Sequence, residues 1–354
     1  MCSSDLVFRN ELSTSQKGAF LQLWVTSGPS SRQRVDRLLD QRVWQAETQT
    51  VSAAACRDPK ENLTLMDQLM ALHYGGVHAD LRAATTAEQL VDDVINEILD
   101  PNGQLNQGDG IGPPCAVQGL LIQRNPAEYV RLQRGWLGPT GRAVLANGDA
   151  APIPPGIFQL ARYGAAQQGA ALTVRTFSEL AFHGAMMAYG KGTSFPQYDP
   201  AADPGAPTGI NTVFAAATRN GLTKAEHNRV LVGLFGRPFT ASADGPSTAV
   251  KDSFLAQLAR NKLPLIAALR WAPGASTVTS RAQVVLALRE ENGRVFFKNP
   301  QYAGSAPPSG VTAGASLTNP ARRADDPTQA LESMSTADFG GLLLWFQFPV
   351  TPMP

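Results

Sequence analysis

The chain has 354 residues, 43% of them hydrophobic and 17% charged, which is enough for one large domain or two lobes. The 30 basic residues stand against 29 acidic ones, a net charge of +1, and this balance argues against a nucleic-acid surface or an acidic tail. No run approaches the roughly 18 apolar residues needed to span a bilayer, so no membrane partner is expected.

Three cysteines, Cys2, Cys56 and Cys115, form an odd and sparse set, better suited to a reducing compartment than to a disulfide framework. The opening MCSSDLVFRNEL has no basic stretch followed by an apolar run, so a cytoplasmic protein is the expectation. Cys2 followed by serines raises an alternative: a secreted chain or lipoprotein after removal of its signal. The four histidines, His73, His78, His183 and His227, lack the tight, partnered spacing of a zinc site, and neither a metal nor a cofactor is expected.

In chain order, residues 5 to 55 read as helical. In SSRQRVDRLLDQRVWQ, Val35, Leu38, Leu39 and Val43 recur at helix spacing, with arginines on the other face. Arg32, Arg34, Arg37 and Arg42, interleaved with Asp36 and Asp40, read as a solvated face. Residues 63 to 73 form another apolar-faced helix, and residues 85 to 100 an amphipathic one capped by Thr85 or Thr86. A loop over 101 to 114 ends at Gly112-Pro113-Pro114, where a helix opens at Cys115 and closes at Asn125-Pro126. Pro126 then starts the next helix, a favoured first-turn position. Residues 146 to 156 read as a turn-rich connector, 177 to 190 as a helix, 191 to 211 as an exposed loop, and 223 to 234 as a further helix. There His227 reads as solvated beside Glu226 and Arg229.

The pattern changes after residue 260. LPLIAALRW (263 to 271), AQVVLALRE (282 to 290) and GRVFFKNP (293 to 300) are short apolar runs, and Asn292-Gly293 between the last two is a hairpin signal. GLLLWFQFP (341 to 349) reads as a closing strand. Helices first and strands last imply an α+β fold with an antiparallel sheet.

A helical half opened by Cys115, followed by a β half, resembles the papain-like cysteine peptidase superfamily. The segment SRAQVVLALREENGRVFFKNPQYAG resembles that family's "His-x-Val-x-Val … Gly-x-Val-x-x-x-Asn-Pro" hairpin, with Val284, Val285, Gly293 and Val295 on the framework and Asn299-Pro300 at the third triad position. ESMSTADFGGLLLWF, 332 to 346, is similar to the C-terminal segment of bacterial members. The resemblance implies a helical lobe (101–260) packed on an antiparallel β lobe (261–354), preceded by an N-terminal helical region (1–100). It also implies a nucleophilic Cys115 and an orienting Asn299.

One departure limits that implication. Where the family places histidine, this chain has Arg281-Ala282-Gln283. Arginine holds its proton through neutral pH and glutamine has no basic site, whereas a thiol nucleophile needs a base that takes a proton and returns it. The substitute base within the helical half is His183. For the family's oxyanion-hole glutamine the chain offers Gln107 and Gln104, both farther from Cys115 than the family's spacing. A helix N-terminus and Arg281 would both lower the Cys115 pKa.

The expectation is therefore a papain-fold pseudoenzyme whose cleft accommodates a peptide or protein ligand, with Gln107, Arg281 and Gln283 as binding residues. The alternative is an active hydrolase or acyltransferase using Cys115, Asn299 and His183. Each residue also has an ordinary reading: free cysteine is among the most buried residue types, Asn-Pro commonly makes a turn, Arg281 suits a solvated strand end, and His183 suits a packed helix.

Overall fold

The computed structural model describes residues 10–26, 29–46, 49–101, 112–154, 157–159, 176–192, 222–261, 264–270, 282–299 and 331–350. The helical body comes first. It contains α1 (Thr14–Thr26), α2 (Pro29–Asp40), α3 (Leu65–Tyr74), α4 (Ala87–Leu99), α5 (Gly112–Arg124), α6 (Pro126–Leu137), α7 (Phe177–Lys191) and α8 (Lys224–Phe235). Local chemistry sets where several of these begin. Thr64, Thr86, Thr176 and Thr223 each accept from the backbone three residues on, while Asp67, Gln89, Glu179 and Glu226 bond back to the cap. Each such box satisfies two amide groups that a helix start leaves without intrahelical partners. At α6 the cap is Asn125, followed by Pro126 in the first turn. Asn125 also accepts from the buried Cys56 thiol at 3.3 Å.

The periodicity over 31–46 is interrupted. Val35, Leu38 and Leu39 are buried on α2, but α2 ends at Asp40 and Val43 lies in a strand. That strand, β1 (Arg42–Ala46), pairs with β2 (Gln49–Ser52). β-Branched and aromatic residues in RVWQA suit a pleated strand better than a fourth helical turn. The connector at 146–156 likewise closes a small hairpin of β3 (Arg142–Val144) and β4 (Ala150–Pro152). The loop expected over 191–211 lies outside the described residues beyond 192.

The second half supplies β5 (Phe239–Ala241), α9 (Thr248–Asn261), β6 (Leu265–Arg270), β7 (Ala282–Glu291), β8 (Arg294–Lys298), β9 (Glu332–Ser335), α10 (Thr336–Leu342) and β10 (Leu343–Pro349). Among the described residues six strands form one sheet in the order β5-β10-β6-β7-β8-β9, with every neighbouring pair antiparallel. Asn292 and Gly293 turn β7 into β8 with φ of 53° and 73°, the left-handed pair that a two-residue hairpin turn requires.

Strand alternation separates two apolar layers. Ile266, Ala268, Val284 and Leu286 join the core of the helical body. Leu265, Ala267, Leu269, Val285, Ala287, Val295 and Phe297 face the other way, against Val250, Phe254 and Leu258 of α9 and Phe339 of α10. Phe254 stacks on Phe339 at 4.9 Å and meets Phe346 edge-on at 5.4 Å. Both faces of β6 are therefore covered, and this is why LIAALR is apolar at every position except its last.

The fold is α+β with an antiparallel sheet. Its helical core runs without a break from Leu12 through α4 to β7, so the N-terminal helices share one interior with the rest of the body. No helix among the described residues is long and apolar enough to cross a membrane.

Candidate functional site

The helix carrying Cys115 begins earlier than the thiol. α5 starts at Gly112, and Pro113 and Pro114 occupy its first turn, where missing N–H groups cost nothing. Cys115 is buried, 2% exposed. Its helix lies on β7 and β6 and against α6, α7 and α8, so the expected packing of a cysteine helix on the β7–β8 hairpin sheet is present at the level of elements.

The other candidates fall on separate elements. His183 is fully buried in α7, a helix whose residues are buried on nearly all sides. Asn299 follows the last residue of β8 and is 8% exposed. Its amide approaches the Glu332 carboxylate and favours the charged form of that group. Glu332 opens β9, pairs in register with Phe297 and is 2% exposed. Burial pushes its pKa up to about 7, against the Lys298 charge and the Asn299 amide. Neither carboxylate oxygen closes a hydrogen bond of full geometry. The backbone of Gln283 pairs with Leu269 on β6. Its side chain, together with Gln107 and Arg281, lies outside the described residues.

The imidazole that reaches the start of α5 is His227. The expectation of a solvated ring is corrected: His227 is fully buried. The signal was present, because His227, Val230, Leu231 and Leu234 recur on one buried stripe of α8. Its Nδ1 shares a short hydrogen bond with the side-chain amide oxygen, Oε1, of Gln347 on β10. Gln347 donates through Nε2 to the Lys224 carbonyl at 3.1 Å, and this fixes which end of the amide faces the ring. Nδ1 is therefore the protonated nitrogen, and Nε2 carries a lone pair without a hydrogen-bond partner. Burial holds the pKa down to about 4, against the Gln347 bond and the backbone of Pro113. The ring is thus neutral at pH 7, beside the first turn of the Cys115 helix.

One helical turn beyond Cys115, Gln118 belongs to a buried polar network that no local sequence pattern announces. Its Nε2 donates to the Tyr129 hydroxyl at 2.8 Å and to Glu97 Oε2 at 3.4 Å. Tyr129 donates to the same Glu97 oxygen in a short bond, while Thr176 and Ser178 donate to Glu97 Oε1 at 2.5 Å each. Gln133 closes the set on Tyr129 and on the Ser178 carbonyl. Burial pushes the Glu97 carboxyl up despite these donors, and Asp93 adds to that push. Four helices, α4 to α7, are joined through this one carboxylate.

No group of three or more His, Cys, Asp or Glu among the described residues could hold a metal ion. Comparison of the chain with family models, with curated proteins and with solved structures finds no match.

Proposed function

We propose that the chain is a binding protein on a papain-like α+β fold, with a degenerate triad and a peptide or protein ligand held in the cleft. The observation that carries this reading is the burial of Cys115, at 2% exposure. A thiol that attacks a carbonyl must meet it at roughly 3–3.5 Å, and a residue this covered leaves an incoming carbonyl little room to do so. Support also comes from the hairpin position 281–283, which carries no base. The ligand sits where β6 ends, β7 begins, β8 ends and β9 begins, because antiparallel pairing brings these termini to one end of the sheet. Arg281 is the group assigned to a ligand carboxylate there.

Alkylation by iodoacetamide tests the reading, with the native protein compared to Cys115→Ala. The expected result is Cys115 labelling no faster than an ordinary thiol, with a midpoint near the usual cysteine pKa of about 8.5. Rapid Cys115-dependent labelling with a midpoint below about pH 7 would overturn it.

A second reading, a thiol hydrolase or acyltransferase, is favoured by His227. A neutral imidazole oriented by the Gln347 side-chain amide beside the first turn of the Cys115 helix is one part of a general-base arrangement, and its pKa of about 4 makes it a weak base. On that reading the fast labelling disappears in His227→Gln and persists in His183→Gln.

A further inference from the structure

Two Asn-Gly pairs stand in turns among the described residues, Asn147-Gly148 and Asn292-Gly293. Asparagine before glycine readily loses its amide. The glycine nitrogen can close a five-membered ring on the asparagine Cγ, and no Cβ on the glycine shields that nitrogen. The fold treats the two pairs differently. The Asn147 side chain is held at both ends. Its Oδ1 accepts from the Asp149 backbone at 3.0 Å, while Nδ2 donates to Asp149 Oδ2 at 2.7 Å and to the Tyr189 hydroxyl at 3.1 Å. Ring closure there would have to break these bonds.

Asn292 is exposed, and its side-chain amide makes no hydrogen bond among the described residues. Gly293, beside it, has open space where a Cβ would stand. The Gly293 N–H, which would be the nucleophile, donates to Glu290 Oε1 at 2.8 Å. The Gly293 carbonyl accepts from the Thr336 backbone at 2.9 Å, so both ends of this glycine are held. Glu290 comes to the turn because β7 and β8 pair Glu290 with Val295 and Glu291 with Arg294. A carboxylate so placed is within the hydrogen-bond reach that a general base needs.

We propose that Asn292 is a self-modification site, at which Glu290 is the base for succinimide formation by Gly293. The Gly293 nitrogen gives its proton to the Glu290 carboxylate and bonds to Asn292 Cγ. The Cγ–Nδ2 bond breaks, and Nδ2 takes that proton from Glu290 and leaves as ammonia. Water then opens the ring. Addition at Cγ gives aspartate at 292. Addition at the Asn292 backbone carbonyl gives isoaspartate, in which the main chain gains the Cβ methylene. Either product adds a negative charge beside Glu290 and Glu291. Isoaspartate also destroys the left-handed pair on which the hairpin turn depends.

The test is peptide mapping by liquid chromatography and mass spectrometry, on full-length protein held folded at neutral pH for days. Aspartate and isoaspartate are expected at 292, with Asn147 keeping its amide. Glu290→Gln retains an acceptor for the Gly293 N–H but removes the base. In this variant loss at 292 should slow roughly tenfold, below the 10²–10⁴ that a positioned base contributes inside an enzyme. In concentrated urea, where the turn is gone, native and Glu290→Gln chains should react at 292 at the same rate. The site is overturned if Asn147 reacts as fast as Asn292 in the folded protein, or if folded Glu290→Gln reacts as fast as the native protein. A slowing that persists unchanged in urea overturns the part given to Glu290, because it would then come from sequence and not from the turn. Glu290 is exposed, so its variant is expected to fold, and the comparison of Asn147 with Asn292 in the native protein stands without it.

Discussion

Buried residues put opposite slopes on the stability of this protein, His227 on one side and Glu332 with Glu97 on the other. His227 has an ordinary pKa of 6.5 and a folded value of about 4. Below pH 6.5 the unfolded chain takes a proton that the folded ring refuses, so stability falls as pH drops from 6.5 towards 4. The full loss is roughly 3 kcal/mol, at about 1.4 kcal/mol per pH unit. Glu332 runs the other way, from an ordinary 4.5 up to about 7. Its contribution is complete below 4.5 and is lost as pH rises through 7. Urea denaturation across this range should show both limbs. His227→Gln is expected to flatten the acid limb and Glu332→Gln to make the neutral one shallower, with Glu97 keeping its own share of that limb, and an unchanged profile in either variant refutes the assignment. Neither behaviour was legible residue by residue. His227 stands between Glu226 and Asn228, with Arg229 next, and its stripe partners lie three, four and seven positions on. Glu332 becomes buried only because β9 closes the edge of a sheet assembled from distant strands.

At the level of elements, the sequence reading was strongest where local chemistry decides. The Thr86 cap and Pro126 are readable as helix starts without help from tertiary packing. The Asn292-Gly293 turn is equally local. Gly293 has nothing within 4 Å of the position a Cβ would take, so Gly293→Ala is expected to cost about 1–2 kcal/mol through its left-handed backbone alone. A chemical denaturation midpoint lowered by much more would point to a contact that this turn does not have. The reading failed where elements are short or where period 3.6 meets period 2. β3, β4 and β5 have three residues each, too few to show alternation, and Val43 continued a helical stripe into a strand. Of the candidate site, the Cys115 helix and the Asn299 strand end were readable as elements. The Glu97 network was not, because its members are drawn from positions 97 to 178 and meet only once four helices pack.

For the whole molecule, that network and the shared core make the first 100 residues structural. Expression of residues 101–354 alone is expected to give an unfolded or aggregated product by circular dichroism and size-exclusion chromatography. A truncated protein that melts cooperatively would show that residues 1–100 are a dispensable cover. Truncation removes Glu97 and strands the hydroxyls of Tyr129, Thr176 and Ser178 without their acceptor, as well as opening the apolar interior. The sheet carries a different consequence. Among the described residues its two outermost members, β5 and β9, have only three and four residues, whereas the interior β7 has ten. A neighbouring molecule seeking to extend the ladder finds almost no free backbone to grip. Brevity at the rims thus guards a long, greasy middle against self-association.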